Sequence, residues 1–346
     1  MRIFSYRNRQ RLRKIFLFLA VAAGVFLLFC LGRFIYLQRF LVFTDGAAQF
    51  DYQQNLAAQD LPQETLNHED FPIEYLDPDE SVAVSGSNQA LQALSGYYIT
   101  TSMLQDMEGV TKALNDSETT PKALLLDIKS IYGNFYYASS LSGATTATAD
   151  ISAIEALIRQ YDQEGRTYLI ARLPSFSDNN FALANQSCGL PLSSGALWMD
   201  SNGCYWLDPQ DPAVQDYLVA IASELAELGF DEVVFDQFVM PDSQNIVYDS
   251  DRQEAIAAAA QAIQTQLEGS SIRVSFGSSA ASVAASADRV YLTTDSGSQV
   301  ENLVAPLQDV LADVTTQIVF CTASRDTRFD GYSLLRPLIE QISEEQ

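Results

Sequence analysis

The stretch of residues 203–242, GCYWLDPQDPAVQDYLVAIASELAELGFDEVVFDQFVMPD, decides the fold class of this chain. Asp211 followed by Pro212 predicts the start of a helix, because aspartate caps a helix N-terminus and proline suits its first turn. Gly229 is expected at the C-cap, and residues 232–235 are short, apolar and β-branched, which favours a buried strand. One apolar stripe recurs at helical spacing between these signals: Val214, Leu218, Ile221, Leu225 and Leu228.

Asp236 stands where this predicted strand ends. In an alternating α/β barrel, a carboxylate at the C-terminal end of a strand faces the loops that build active sites. The same side chain could instead cap the turn that follows the strand. Taken alone, the stretch leaves both interpretations open.

The same alternation continues along most of the chain. Strands are predicted at 97–101, 123–128, 167–173, 272–276, 289–293 and 317–321, and helices at 107–114, 150–165, 251–269 and 300–314. Parallel βαβ units at this spacing predict an α/β fold, a (β/α)8 TIM-type barrel over residues 92–346. Residues 334–342 are predicted as a helix, so the barrel is either open at its C-terminal end or completed by a strand that the pattern does not reveal.

The N-terminus has the composition of a membrane anchor. Residues 1–14 are a basic cytoplasmic tail, and residues 15–37 form an apolar run long enough for a transmembrane signal anchor. A cleavable signal peptide is disfavoured because Arg33 and Phe34, rather than small residues, follow the apolar core. The positive-inside rule then predicts a single-pass protein of the cell membrane, with its N-terminal helix in the lipid bilayer and its C-terminal domain extracellular.

Residues 38–91 are predicted to form an acidic disordered stalk. No Lys or Arg occurs between Arg39 and Lys112, and prolines interrupt any apolar periodicity. His68, the only histidine of the chain, lies in this stretch. We therefore expect no histidine in the catalytic or metal-binding chemistry of the barrel.

Composition and motifs exclude several classes of function. A formal net charge of −24 argues against nucleic acid as a partner, because phosphate binding needs clustered Lys and Arg. No glycine-rich phosphate loop follows a predicted strand, which argues against a nucleotide. Histidine and paired cysteine ligands are missing from the predicted domain, so no metal and no cofactor are expected. Cys188 and Cys204 flank one loop, and their spacing allows either a disulfide or two free thiols.

Carboxylates remain as the candidate catalytic groups. Asp127, Asp236 and Asp295 lie at or just after the ends of the second, fourth and sixth predicted strands. Paired carboxylates with different pKa values are the usual machinery of glycoside hydrolysis. Lys129 and Arg172 lie near two of these strand ends, where they could bind hydroxyl or anionic groups of a substrate.

Aromatic residues crowd the predicted βα loops, among them Tyr136, Trp198 and Trp206. Aromatic faces in loops suit stacking on sugar rings, and the alternative is that they cover the barrel core. All three are predicted as substrate-binding residues.

Three segments carry a family resemblance. They are ALLLDIKSIYG (123–133), TYLIARLPSFSDNNFALAN (167–185) and the run from 195 to 241 that ends in GFDEVVFDQFVMP. Together they resemble a bacterial barrel family described as glycoside hydrolases of unknown activity. The resemblance implies a (β/α)8 fold, an envelope location and carbohydrate as the substrate class.

The chain departs from the family pattern beside Asp236. The FDY(I/V)RFP motif reads FDQFVMP here, so Gln237 replaces the usual tyrosine and Val239 the usual arginine. By analogy with retaining glycosidase barrels, Asp236 is expected to be the nucleophile or an electrostatic stabiliser, and Asp295 or Asp127 the general acid/base. Gln237 is predicted as a further substrate-binding residue.

Two functions follow from these residues. The first is a membrane-anchored extracellular glycoside-hydrolase-like barrel that acts on envelope or environmental polysaccharide through paired carboxylates. The second is a non-catalytic carbohydrate-binding or cell-envelope scaffold protein on a degenerate barrel, favoured by the lost family arginine.

Overall fold

The computed structural model of the chain describes residues 41–44, 47–50, 91–117 and 119–339. The basic tail and the anchor predicted at 15–37 lie outside these residues, as does most of the predicted stalk. Within the stalk, Leu41–Thr44 and Ala47–Phe50 pair as an antiparallel hairpin. No helix in the described part of the chain is long and apolar enough to cross a membrane.

Eight parallel strands close into a barrel, which confirms the (β/α)8 prediction. The strands are β1 Ser95–Ile99, β2 Ala123–Asp127, β3 Tyr168–Pro174, β4 Glu232–Asp236, β5 Arg273–Phe276, β6 Val290–Thr293, β7 Ile318–Cys321 and β8 Ser333–Pro337. Each strand pairs with the next along the chain, and β8 pairs with β1 to complete the circle. All eight strands therefore end at the same face of the barrel, which we call the mouth.

The eighth strand corrects the sequence-based interpretation. The helix predicted over 334–342 is wrong at its start, because Ser333–Pro337 is β8 and pairs with both β7 and β1. Burial alternates along β8, with Ser333, Leu335 and Pro337 buried and the residues between them partly exposed. Five residues are too few for the period of two to stand out against a helical period.

Helices between the strands cover the outside of the barrel. The α-helices are α1 Met107–Asp116, α2 Ile151–Glu164, α3 Asn179–Ala184, α4 Pro212–Leu228, α5 Arg252–Gln266, α6 Ala281–Ala284, α7 Val300–Val304 and α8 Val314–Gln317. The predicted caps of α4 are confirmed, since the Asp211 side chain accepts from Ala213 N and Gly229 is left-handed with φ 106°.

The helix predicted over 300–314 is shorter than expected. It ends at Val304, where a 3-10 turn at Ala305–Leu307 begins. Pro306 lies within this turn, and a proline cannot continue the hydrogen-bond ladder of an α-helix. Helical structure resumes only at α8.

The barrel interior is layered. Apolar side chains from alternate positions fill its middle, among them Leu125, Ile170, Val234, Val319 and Leu335. Their neighbours along each strand face outward and pack against the helices in two larger clusters. The interior is thus a filled core rather than a channel, and polar chemistry is confined to its two ends.

The end of the barrel opposite the mouth holds a buried ion pair. Arg289 Nη1 lies 2.6 Å from Glu232 Oε2, and the two side chains are 3% and 0% exposed. Ser275 donates to the other carboxylate oxygen of Glu232 at 2.6 Å. Arg289 also donates to the backbone oxygen of Gln92 at 3.1 Å, so the pair ties β4, β5 and the chain before β1 together.

Candidate active site

Asp236 is the last residue of β4 and lies at the mouth. Its Oδ1 comes so close to Gly277, just after β5, that a Cβ on Gly277 would stand 2.1 Å from it. Gln237 is the only non-glycine residue with a positive φ, 50°, among those the structure describes. The backbone N–H of Gln237 acts to lower the pKa of the Asp236 carboxyl group. A close glycine and a left-handed turn therefore hold this carboxylate at the strand end.

Asp127 and Arg172 meet beside Asp236 as a bidentate ion pair. Arg172 donates from Nε to Asp127 Oδ1 at 2.6 Å and from Nη2 to Oδ2 at 3.1 Å. Its Nη1 donates to Thr293 Oγ1 at 3.3 Å, and its guanidinium lies 5.9 Å from the ring centre of Tyr98. The arginine is thus held by side chains from β1, β2 and β6 at once.

The electrostatics of Asp236 are set by opposing effects. Burial against the barrel wall raises the pKa of Asp236, and the charge of Asp127 raises it further. The positive charge of Arg172 and the backbone N–H of Gln237 act in the opposite direction, and the net pKa remains above the ordinary value. The residue as a whole is partly exposed at this end of the barrel.

Cys321 ends β7 and lies against the same group. Burial raises the pKa of its thiol to about 12; the charge of Arg172 acts to lower this pKa, and the charges of Asp236 and Asp127 act to raise it. A thiol of this kind stays protonated near neutral pH. Cys321 is therefore expected to line the site as an uncharged side chain and not to act as a nucleophile.

Asp295 occupies an exposed position on the same face, after β6. Its Oδ1 accepts from Thr322 Oγ1 at 2.9 Å and from Ala323 N at 2.8 Å, which ties the loop after β6 to the loop after β7. Burial raises the pKa of Tyr98, and the charge of Asp295 contributes to the same shift. Asp295 thus shares the mouth with Tyr98, the residue that packs against Arg172.

Lys129 does not take the open position expected from the sequence. Its Nζ lies 2.8 Å from Asp178 Oδ2, and both side chains are fully buried. The same nitrogen donates to the backbone oxygens of Pro174 at 3.3 Å and Ser177 at 3.4 Å. Its three protons are thus directed at protein acceptors, so Lys129 anchors the loop after β3 instead of binding substrate.

The three predicted aromatic residues have different places. Tyr136 is buried and its hydroxyl accepts from Gln105 Nε2 at 2.9 Å, so it covers the core. Trp198 and Trp206 are partly exposed in the long segment between β3 and α4, with their rings edge to face at 6.4 Å. Trp206 Nε1 donates to Asp200 at 3.1 Å. Both indoles remain accessible, and within the described residues neither hydrogen-bonds to the group around Asp236.

Cys188 and Cys204 lie in this same long segment. Both are buried free thiols, so the structure realises the second of the two alternatives that their spacing allowed.

The structure thus brings Asp127, Arg172 and Asp236 together and places Asp295 on the same face. It also reveals three mouth residues that the sequence interpretation missed, namely Tyr98, Thr293 and Cys321. Each lies at or next to the C-terminal end of its strand. In the alternation of that strand, its position is one whose side chain faces the barrel interior. Extending the alternation of each strand to its final residues would have identified them.

Comparison with known proteins identifies the family. Residues 96–310, more than half of the chain, match the family model described as "Putative glycosyl hydrolase domain". The matched range begins within β1 and ends after α7, so it extends well past the segments that carried the resemblance in the sequence. No curated protein matches the chain.

Similar solved structures include a hypothetical protein from Ruminiclostridium thermocellum, with 23% identity over 51% of this chain and 96% of that chain and a TM-score of 0.44. The glycoside hydrolase domain of PelA from Pseudomonas aeruginosa has 14% identity, covers 72% of this chain and 95% of that chain, and gives a TM-score of 0.45. An α-galactosidase from Lactobacillus brevis has 10% identity over 71% of this chain and 38% of that chain, with a TM-score of 0.48. The assignment rests on the family model, which spans six of the eight barrel strands: this chain belongs to the DUF4015 family of glycosyl hydrolase domains.

Proposed function

We propose that this chain is a membrane-anchored glycoside hydrolase that cleaves envelope or environmental polysaccharide outside the cell. The observation that carries the catalytic part is Asp236, a partly accessible carboxylate at the end of β4 whose pKa is raised by burial. Glycosidases need such a carboxylic acid, because the leaving oxygen must be protonated while the glycosidic bond breaks.

Asp236 is best suited to the general acid/base role. A raised pKa favours the protonated form that a general acid needs, whereas a nucleophile must be ionised. This reverses the roles expected from the sequence, where Asp236 was the nucleophile or stabiliser. The change follows from the burial of Asp236, which no sequence pattern reports.

Asp295 is the best partner for Asp236 in this scheme. Both oxygens of Asp127 already accept from Arg172, whereas Asp295 is exposed and its described hydrogen bonds involve Oδ1 alone. Asp295 would act on the anomeric carbon directly or through a water molecule while Asp236 protonates the leaving group. Trp198 and Trp206 supply accessible aromatic faces for sugar rings on the same loop system.

The test is to incubate the full chain with a panel of polysaccharides and to measure hydrolysis as the release of reducing ends. Asp236→Asn is expected to lower kcat by about 10²–10⁴-fold, as the loss of a general acid does. Asp242→Asn is the matched control, since Asp242 lies six residues away in the same loop and its side chain is fully exposed. Equal activity of both variants would exclude Asp236 from the reaction.

The second candidate function is carbohydrate binding without catalysis. It is favoured by Val239, which is 41% exposed just after Asp236 at the position of the family's cation. Glycan binding that survives Asp236→Asn, together with no release of reducing ends by the parent chain, would support this function. Hydrolysis that disappears in Asp236→Asn would exclude it.

The membrane location is supported by the basic tail and the apolar run at 15–37. We expect the full chain to stay in the membrane fraction at alkaline pH and its barrel to be cleaved by protease added outside intact cells. A chain that is washed off at alkaline pH would refute the anchor.

A further inference from the structure

Two charged residues at the mouth have no reacting role in the scheme above. Asp127 and Arg172 were both predicted from the sequence to act on substrate, one as a catalytic carboxylate and the other as a substrate contact. Their geometry points to a different use. Both carboxylate oxygens of Asp127 accept hydrogen bonds from Arg172, Oδ1 from Nε and Oδ2 from Nη2.

Arg172 is also held by neighbouring side chains and is nearly buried. Its three nitrogens all donate within the site, two of them to Asp127 and Nη1 to Thr293. The residue is 8% exposed, and Tyr98 lies beside its guanidinium. A planar guanidinium held on several sides is a fixed charge rather than a flexible clamp.

We propose that Asp127 and Arg172 form a positioning pair that sets the protonation state of Asp236, and that neither side chain reacts with substrate. The inference rests on the proposed function, since it assigns the pair a task in the proton transfer made by Asp236. The pair places one positive and one negative charge beside Asp236, and the bidentate contact holds the two charges in a fixed arrangement relative to each other.

The ionisable groups that face Asp236 within the described residues come from three strands. Arg172 projects from β3, Asp127 from β2 and Cys321 from β7, while β5 contributes the backbone at Gly277. The thiol is neutral near neutral pH, so Arg172 and Asp127 supply the charges. Arg172 has the larger effect on the pKa of Asp236 and lowers it, whereas Asp127 raises it.

These opposite signs give the proposal a sharp test. Arg172→Met removes the lowering charge, so the pKa of Asp236 is expected to rise. Asp127→Asn removes the raising charge, so the pKa is expected to fall. The double variant loses both, and its value is expected between that of Arg172→Met and that of the parent, because the arginine has the larger effect. Arg172→Lys keeps the charge and is expected to stay closest to the parent.

The measurement is a carbon-13 NMR titration of the full chain with aspartate labelled at the carboxyl carbon, the Asp236 signal being assigned by its loss in Asp236→Asn. Arg159→Met is the matched control, since it removes an arginine whose partner Glu155 lies on the outer helix α2. If Asp127→Asn does not fold because Arg172 is left unpaired, the neutral double variant provides the comparison. The pKa of Asp236 is expected to be highest in Arg172→Met, lower in the double variant, lower again in Arg172→Lys and lowest in Asp127→Asn. Any other order of these four pKa values would overturn the proposal.

The same variants separate this proposal from the proposed function. If the parent is active, the limb of the pH–kcat profile that reports Asp236 is expected to shift among the variants in the same order as the pKa values of Asp236. Asp127→Asn is also expected to keep more activity than Asp236→Asn. Loss of the limb in Asp127→Asn, as in Asp236→Asn, would make Asp127 a reacting group and refute the pair. An inactive parent with the predicted order of pKa values would refute the hydrolase and leave the electrostatic pair standing.

Discussion

Gly277→Ala tests whether the position of Asp236 limits the reaction. A Cβ at Gly277 would stand 2.1 Å from Asp236 Oδ1 and 2.9 Å from its Cα, whereas ordinary contact begins at 3.4 Å. The carboxylate or the end of β5 must therefore move by about 1 Å. Gly277 does not have a positive φ, so the substitution adds no backbone strain of its own.

A displacement of this size has a predictable effect on rate. Misplacing a reacting group by about 1 Å can lower kcat by about 10²-fold, while overpacking of one methyl group destabilises a protein by about 1–3 kcal/mol. We therefore expect a folded protein with a large loss of kcat on the best polysaccharide of the panel. Thermal unfolding measured on the same sample checks that the barrel is intact.

Gly331→Ala is the matched control for this experiment. A Cβ at Gly331 meets no atom within 4 Å, so the same chemical change is made without a collision. We expect its kcat and its unfolding temperature to match those of the parent. A Gly277→Ala variant that is as active as Gly331→Ala would refute the argument that Gly277 fixes the reacting carboxylate.

Three further predictions concern stability and reactivity. Lys129→Met leaves the buried Asp178 without its cation and is expected to lower the free energy of unfolding, measured by urea titration, by about 3–5 kcal/mol. Arg159→Met on the surface is the control and is expected to lower it by about 0.5 kcal/mol or less. Similar losses in the two variants would contradict the burial of the Lys129–Asp178 ion pair. Gln237→Gly relieves a left-handed residue and is expected to raise the urea midpoint, a lower midpoint being the opposing result. Cys321 is 1% exposed and is expected to resist thiol reagents until urea unfolds the chain. Rapid labelling of the Cys321 thiol in the folded protein would contradict its burial beside Asp236.

The parts of the fold that rest on local signals could be predicted from the sequence. The Asp211 cap, Pro212 and Gly229 act within a few residues of one another, so α4 and the strand after it were expected at nearly their observed bounds. β8 could not be predicted in the same way, because its partner β1 is more than 200 residues away and nothing local announces the pairing.

The candidate site shows the same division. The sequence placed Asp127 and Asp236 at strand ends, and the structure brings both to the mouth with Arg172. The environment of Lys129 was not predictable, since its partner Asp178 comes from a different loop and the burial of the pair arises only when the two loops pack together. Charge at a strand end is therefore visible in a sequence, whereas its availability to a substrate depends on tertiary contacts.

The seam between β8 and β1 bears on how this protein is made. Leu94 N donates to Ser333 Oγ across 239 residues of chain, so β1 waits for its final partner until almost the whole protein has been synthesised. At about 5–20 residues per second this interval is about 12–48 s, during which one edge of β1 remains unpaired. An open edge of this kind is a template for pairing with other chains. Folding of the nascent chain therefore has a long period in which a chaperone that covers β1 would prevent aggregation.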